Sequence, residues 1–261
     1  MTRRALLCGS AAGMAFAARP RKTLVPIFQR GGADALNIVV PHGDRRYYEL
    51  RPNIAIPRKD VLDLDGFFGL HPSLAPLKPL YDGKRLAIVH AVGAPQPIRS
   101  HIDAQDFMEA GLRSADRDVS PAFSRTSRGY PDTRFGNRLR EIARLIGDDS
   151  GVELASADIG GWDHHFDESA ALPGLLSEFA QGLAAFRNDL DGRAAGVTVI
   201  TVSEFGRATR ENAAGGTDHG WGGVMFVMDG ALPGGKVYGA WPGLEGDALR
   251  ATTDFRALDY Y

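Results

Sequence analysis

Apolar, β-branched runs that each give way to a glycine-bearing turn carrying acids constrain this chain more than any other feature. Leu24-Val25-Pro26-Ile27-Phe28 leads to Gly31-Gly32-Ala33-Asp34, and residues 152–157 lead to Gly161-Trp162-Asp163-His164-His165. Residues 197–202 and 224–228 enclose Gly215-Gly216-Thr217-Asp218-His219-Gly220. Short apolar runs bounded by turn residues read as buried strands. Between them, residues 133–147 carry Phe135, Leu139, Ile142, Leu145 and Ile146 at helical spacing, and a second long helical pattern covers about 170–190. Strands alternating with helices imply an α/β fold, a mainly parallel sheet sandwiched by helices, with ligands at the carboxyl ends of the strands. All three acidic turns fall at such ends.

The remaining elements follow the same logic. Residues 36–41 read as a second extended run, 44–50 as one helical turn, 62–70 as a mixed loop and 72–80 as a short helix with proline near its start. Residues 85–92 form a strand that leads through Gly93 to Ser100 and a helix capped by Ser100 or Asp103. Residues 112–131 are polar and turn-rich, which suits a linker or surface excursion.

Composition matters mainly for what it excludes. With 261 residues, 44% hydrophobic and 24% charged, the chain has the makeup of an ordinary globular protein. The formal net charge of −2 hides an asymmetry: Arg3, Arg4, Arg19, Arg21 and Lys22 lie in the first 22 residues, which contain no acid. The rest is net acidic, which argues against a nucleic-acid partner. Arg3-Arg4 followed by a short apolar, small-residue stretch to Ala18 has the layout of a twin-arginine export signal and is too short for a stable membrane span. Residues 1–22 are therefore expected to engage the twin-arginine export machinery, leaving 23–261 as a single domain in a bacterial periplasm or outside the cell. The one cysteine, Cys8, falls in the signal, so no disulfide is expected in the mature chain.

The acidic turns carry the chemistry. Three of seven histidines, His164, His165 and His219, adjoin acids there. Mixed Asp and His donors suit zinc, manganese or iron. Two divalent ions about 4 Å apart would hold both the attacking and leaving oxygens of a phosphoryl or sulfuryl ester. Asp163 with His165, and Asp218 with His219, are candidate ligands; the alternative for Asp218 is a turn in which it only caps backbone amides. His164 points to the opposite side from its neighbours by strand alternation. Arg99-Ser100-His101-Ile102-Asp103 enters a helix, where exposed amides attract an anion. There Ser100 is either a metal-activated nucleophile or a helix cap, and His101 and Asp103 are alternative ligands. Glu204 and Arg207, just after strand 197–202, would bind a metal or hold an oxyanion, or else form an ion pair. Trp162 and Trp221 are read as buried against the sheet rather than stacked on a substrate. No Gly-x-Ser-x-Gly elbow is present to suggest a metal-free serine hydrolase.

At these residues the sequence resembles the DUF1501 family of exported bacterial proteins and, through it, the alkaline phosphatase and sulfatase superfamily. The matching stretches are Arg30-Gly31-Gly32-Ala33-Asp34-Ala35-Leu36-Asn37, Phe68-Gly69-Leu70-His71-Pro72, Arg99-Ser100-His101-Ile102-Asp103-Ala104-Gln105-Asp106, Gly161-Trp162-Asp163-His164-His165, Ser203-Glu204-Phe205-Gly206-Arg207 and Gly216-Thr217-Asp218-His219-Gly220. The resemblance implies an alkaline phosphatase-like fold in which Asp34 and Asp218-His219 hold one metal, Asp163 and His165 a second, and Ser100 stands near the nucleophile's place. It implies one or two divalent ions, with zinc, manganese or magnesium expected, and an exported hydrolase acting on an anionic phosphate or sulfate ester. Arg99 or Arg207 would hold the anionic oxygen. The chain departs from the family pattern in a shortened middle segment after Gln105-Asp106, in Trp221 where a second histidine often follows Asp-His-Gly, and in stopping at Tyr261 where a closing helix usually continues. Those departures keep two other readings open, a secreted binding protein that retains the fold without catalysis and a truncated inactive member.

Overall fold

The computed structural model describes residues 22–110, 129–148, 150–230 and 232–257. The chain opens with β1 (Thr23–Arg30), α1 (Ala35–Ile38), β2 (Val39–Val40) and α2 (Arg45–Leu50). It continues through β3 (Leu62–Asp63), β4 (Gly69–Leu70), a 3-10 turn at Pro72–Leu77, α3 (Lys78–Asp82), β5 (Leu86–Gly93) and α4 (His101–Ala110). Then come α5 (Arg134–Gly147), β6 (Ala157–Gly160), α6 (Glu168–Leu190), β7 (Val197–Ser203), β8 (Gly223–Met228), β9 (Val237–Tyr238) and β10 (Thr253–Asp254).

Seven of these strands form one mixed, mostly parallel sheet flanked by helices, in the order β10-β5-β8-β7-β1-β6, with β9 also on β5. β1 pairs in parallel with β7, from Thr23 opposite Val197 to Gln29 opposite Ser203, and with β6 on its other edge. β8 runs antiparallel to both β5 and β7. It follows that β1, β5, β6 and β7 all end on the same edge, and that the turn entering β8 starts there too.

Strand alternation sorts the core into two layers. Val25, Ile27, Val197, Val199, Phe226, Leu86 and Ile88 share one apolar cluster with α5 and α6, while Leu24, Phe28, Ile200, Val202, Met225, Val227 and Val89 belong to a cluster on the opposite side. Burial on both faces explains why the strands read as continuous apolar runs. α5 starts where Thr133 accepts a hydrogen bond from the Gly136 amide at 3.1 Å. It packs on α6 through Phe135 and Phe179, whose ring centroids are 6.3 Å apart.

The main differences from the sequence expectations have local causes. Residues 36–38, read as extended, form α1 because the Asp34 carboxylate caps it, accepting from the Leu36 amide at 3.3 Å. Residues 62–70, read as a loop, supply β3 and β4, which join β2 in a small second sheet. The run 152–157 pairs with β1 only through an isolated bridge from Leu154 to Leu24, and the regular strand begins at Ala157. The export signal and nearly all of the 112–131 excursion lie outside the described residues. No helix among the described residues is long and apolar enough to cross a membrane.

Candidate metal centre

Four segments meet beyond the carboxyl edge of the sheet: the turn after β1, the start of α4 after β5, the turn after β6, and the doubled-back segment between β7 and β8. Glycines permit the close approach. Gly31 has φ +129°, and a Cβ on it would sit 2.5 Å from the Asp163 amide nitrogen. Residues 206–208 and 218–221 run antiparallel, with Gly206 donating to Trp221, Gly220 to Gly206 and Ala208 to Asp218. A Cβ on Gly220 would lie 2.2 Å from the Arg207 carbonyl oxygen, so only glycine fits.

The Asp163 carboxylate is the centre of the resulting cluster. Its Oδ1 lies 3.0 Å from His165 Nε2 and 3.2 Å from His219 Nε2, and its Oδ2 lies 3.6 Å from His101 Nε2. Donor atoms of His101, Asp163 and His219 all fall within 4.8 Å of one another, which makes a possible His/Asp metal site. His165 Nε2 is 3.0 Å from His219 Nε2. Two imidazole nitrogens that close need either one proton between them or a cation that both face.

The far side of each ring decides what the near side can do. His219 Nδ1 lies 3.0 Å from the Arg99 carbonyl oxygen, which only accepts, so Nδ1 carries the proton and the neutral ring keeps its Nε2 lone pair towards Asp163. His165 Nδ1 faces the Asp218 carboxylate at 3.5 Å, and His101 Nδ1 faces Glu204 at 3.5 Å. An acceptor stands behind each of these three histidines, the arrangement that in metal sites fixes the tautomer and raises ligand basicity. The donor set, three imidazoles and one carboxylate, fits zinc or another divalent first-row ion.

The supports of this cluster are buried. Arg207 is inaccessible, donating from Nη1 to Asp163 Oδ1 at 2.5 Å and to the Gly31 carbonyl at 3.4 Å, from Nε to the Thr217 hydroxyl at 3.2 Å, and from Nη2 to the Thr217 carbonyl. Burial alone would raise the Asp163 pKa, but the hydrogen bond and charge of Arg207, with help from His165 and His219, hold it below its usual value. Glu204 is equally buried and accepts from the Gly31 and Gly32 amides at 3.0 Å and from Gln105 Nε2 at 2.8 Å. Those bonds outweigh desolvation and keep its pKa low. Gln105 and His101, one helical turn apart on α4, both dock on Glu204.

Several residues singled out in the sequence stand elsewhere. Asp34 lies in a second, buried cluster, gripped by Arg51 through Nη1–Oδ2 at 2.5 Å and Nη2–Oδ1 at 3.0 Å. Glu168 joins it, accepting from Asn37 Nδ2 at 2.8 Å and from the Thr217 hydroxyl at 3.1 Å. Desolvation raises the Glu168 pKa well above its ordinary value, and the neighbouring Asp34 charge adds to that. Asp34 moves the other way: desolvation opposes ionisation, but Arg51 holds it charged. Asp218 is 72% exposed and sits behind His165, where Asn212 also donates to it at 3.3 Å. Ser100 is exposed and accepts a long hydrogen bond, 3.4 Å, from the Asp103 amide. Arg99 is exposed and offers its carbonyl to His219. Trp162 is fully buried against Phe179, and Trp221 is half-buried with Nε1 on the Ala94 carbonyl. Arg51 and Glu168 carried no sequence signal, since each looks like an ordinary helix-end residue, and Thr217 stood in the Asp218-His219 turn with no role of its own.

Fold and site together define an α/β protein with a histidine-rich cluster at the carboxyl edge of a mostly parallel sheet. Residues 112–259, more than half of the chain, match the family model described as "Protein of unknown function (DUF1501)", and the chain belongs to that family. No curated protein sequence matches. Among solved structures, the chain is similar to the C-terminal periplasmic domain of EcEptC from Escherichia coli in complex with Zn, at 11% identity and a TM-score of 0.40, over 80% of this chain and 73% of that one. That likeness is too distant to bear on the site.

Proposed function

We propose that this protein is an exported, divalent-metal-dependent hydrolase of phosphate or sulfate esters, with His101, Asp163, His165 and His219 as the metal's ligands. The observation that carries the reading is the convergence of imidazole Nε2 atoms on one carboxylate, each ring backed at Nδ1 by an acceptor. In this reading His101 enters the set, Asp218 orients His165, and Asp34 supports the site from the buried cluster. The reading of the protein as exported rests on the Arg3-Arg4 segment.

A bound divalent ion would supply a Lewis acid for an ester oxygen and lower the pKa of a water. The chain's own residues do the rest. Asp163 brings the only negative charge among the four ligands, and a divalent ion with Arg207 behind it would draw an anion, against the opposing charges of Glu204 and Asp218 behind the rings. In this reading exposed Arg99, whose carbonyl accepts from His219, would hold an anionic substrate oxygen. Ser100 adjoins His101 and keeps a hydroxyl proton to give up, since its oxygen only accepts from Asp103; it is the proposed nucleophile, with water as the alternative.

The commitment of Arg207 to protein acceptors from Nε, Nη1 and Nη2 and the absence of a base on Ser100 among the described contacts favour a second reading, a secreted binding protein with a structural metal. Elemental mass spectrometry on the purified chain, followed by a screen of aryl phosphates and sulfates with zinc or manganese, separates the two. Stoichiometric metal with turnover supports the hydrolase. Metal without turnover selects the binding protein, and a folded chain that takes up no metal overturns both.

A further inference from the structure

α4 meets the cluster with one face. His101, Ala104 and Gln105, three and four residues apart, lie on that face, Ala104 being buried, while Ile102 and Asp103 are exposed. Gln105 is outside the proposed ligand set, yet its amide Nε2 lies 2.8 Å from Glu204 Oε1. An ionised carboxylate only accepts, so the nitrogen is the end of the amide that faces it.

Glu204 has no exposed side-chain surface, is held ionised, and pairs with no lysine or arginine among the described residues. Neutral donors hold it instead. The Gly31 amide faces both oxygens at 3.0 Å, the Gly32 amide reaches Oε2 at 3.0 Å, and Gln105 ties Oε1 to α4. His101 Nδ1 stands 3.5 Å from that same Oε1, and His101 Nε2 stands 3.6 Å from Asp163 Oδ2. Both separations exceed hydrogen-bond length, so the ring is not fixed by its own contacts with the two carboxylates. The rings of Phe205, at 4.9 Å between centroids, and of His219, at 4.6 Å, confine it sideways. How far it reaches towards Asp163 depends on where α4 sits against the turn after β7, and the Gln105 hydrogen bond sets that. A neutral donor suits the place. Lysine or arginine would tie the helix as well but would offset the Glu204 charge, whereas an amide fixes the oxygen and leaves its charge to raise the basicity of the ring.

We infer that Gln105 is a positioning residue for the metal centre, tying α4 to Glu204 so that His101 presents Nε2 to Asp163 and Nδ1 to Glu204. This rests on the proposed ligand set and adds to it a residue that acts only through His101.

A double-mutant cycle with zinc as the probe tests it. Zinc affinity of the full chain is measured by competition with a chromophoric chelator for the parent, Gln105→Met, His101→Ala and the double variant. Methionine keeps the length of the half-buried side chain without its donor, and melting curves of the zinc-free proteins check that each is folded. The expected result is that Gln105→Met weakens zinc binding about tenfold and His101→Ala weakens it more. Gln105→Met should then add nothing in the His101→Ala background, where no ring is left to position. Unchanged affinity in Gln105→Met, or the same loss in both backgrounds, overturns the positioning role and leaves the ligand set standing. A His101→Ala chain that binds zinc as tightly as the parent, or a folded parent that takes up none, overturns the ligand set and this inference with it.

Discussion

The molecule holds two clusters of charge, one behind the other, that differ in how their polar atoms are used. Around Asp34 the charged groups are paired: Arg51 grips both carboxylate oxygens and donates also to the Ala208 and Thr209 carbonyls, while Glu168 is held by Asn37 and Thr217. Around Asp163, three imidazole nitrogens face a carboxylate that is 42% exposed, and two of them stand 3.0 Å apart. A buried charge left without its partner is strongly destabilising. Ligands that wait for a cation must stay partly unsatisfied. In the proposed reading the inner cluster is the support and the outer one the working site, joined by the contacts from Glu168 through Thr217 and Arg207 to Asp163.

The sharpest way to break this comparison is to remove one charge from each cluster. Arg51→Met strands Asp34 in the interior and should cost about 3–5 kcal/mol in urea unfolding. Asp163→Asn takes the charge partner from buried Arg207 but leaves an amide oxygen to accept its hydrogen bond, so it should cost less, about 1–3 kcal/mol in the metal-free protein. Equal losses would erase the distinction.

Metal uptake should show the reverse pattern. His219→Ala is expected to abolish stoichiometric zinc by elemental analysis with the fold intact by circular dichroism. Asp218→Asn, which changes the contact behind His165 and the one with Asn212, should weaken zinc binding by about 10–100-fold in a competition titration. If Asp218→Asn were as severe as His219→Ala, Asp218 would be a direct ligand.

A smaller effect sharpens the account of the inner cluster. The Glu168 pKa is raised in the folded state, so its contribution is present below the unfolded value near 4.5 and is lost as pH rises through the folded value. Asp34, whose pKa is lowered, contributes above the unfolded value near 3.8 and loses that contribution as pH falls through the folded one. Glu168→Gln should therefore flatten the decline in stability on the alkaline side, read as melting temperature against pH, and leave the acid limb due to Asp34 in place. An unchanged alkaline limb would mean that Glu168 is not held protonated.

Much of this architecture could be read from the chain because its signals were local. Thr133 before an amphipathic run marked the start of α5, and glycine-acid turns after apolar runs marked the sheet's carboxyl edge. The division of labour among the acids could not be read in the same way. Asp34 and Asp163 occupy similar glycine turns, and what separates them is Arg51, which reaches Asp34 only once α2 has folded over β1's turn, and Arg207, which arrives from beyond β7. Asp218 and His219 are neighbours in the sequence, yet the bridge between Arg207 and His219 turns one side chain into the cluster and leaves the other outside, behind His165. His101 needed the position of Glu204, which is set by the amides of Gly31 and Gly32.

His101, Asp163 with His165, and His219 arrive from three distant stretches of a chain whose single cysteine is Cys8. A cation shared among them would close two long loops at once, as a disulfide does elsewhere, taking conformational freedom away from the unfolded chain. Unlike a disulfide, such a cross-link is reversible and depends on concentration, so the heat resistance of this protein would follow the free metal around it, rising by about 4 kcal/mol at a thousandfold excess over the dissociation constant.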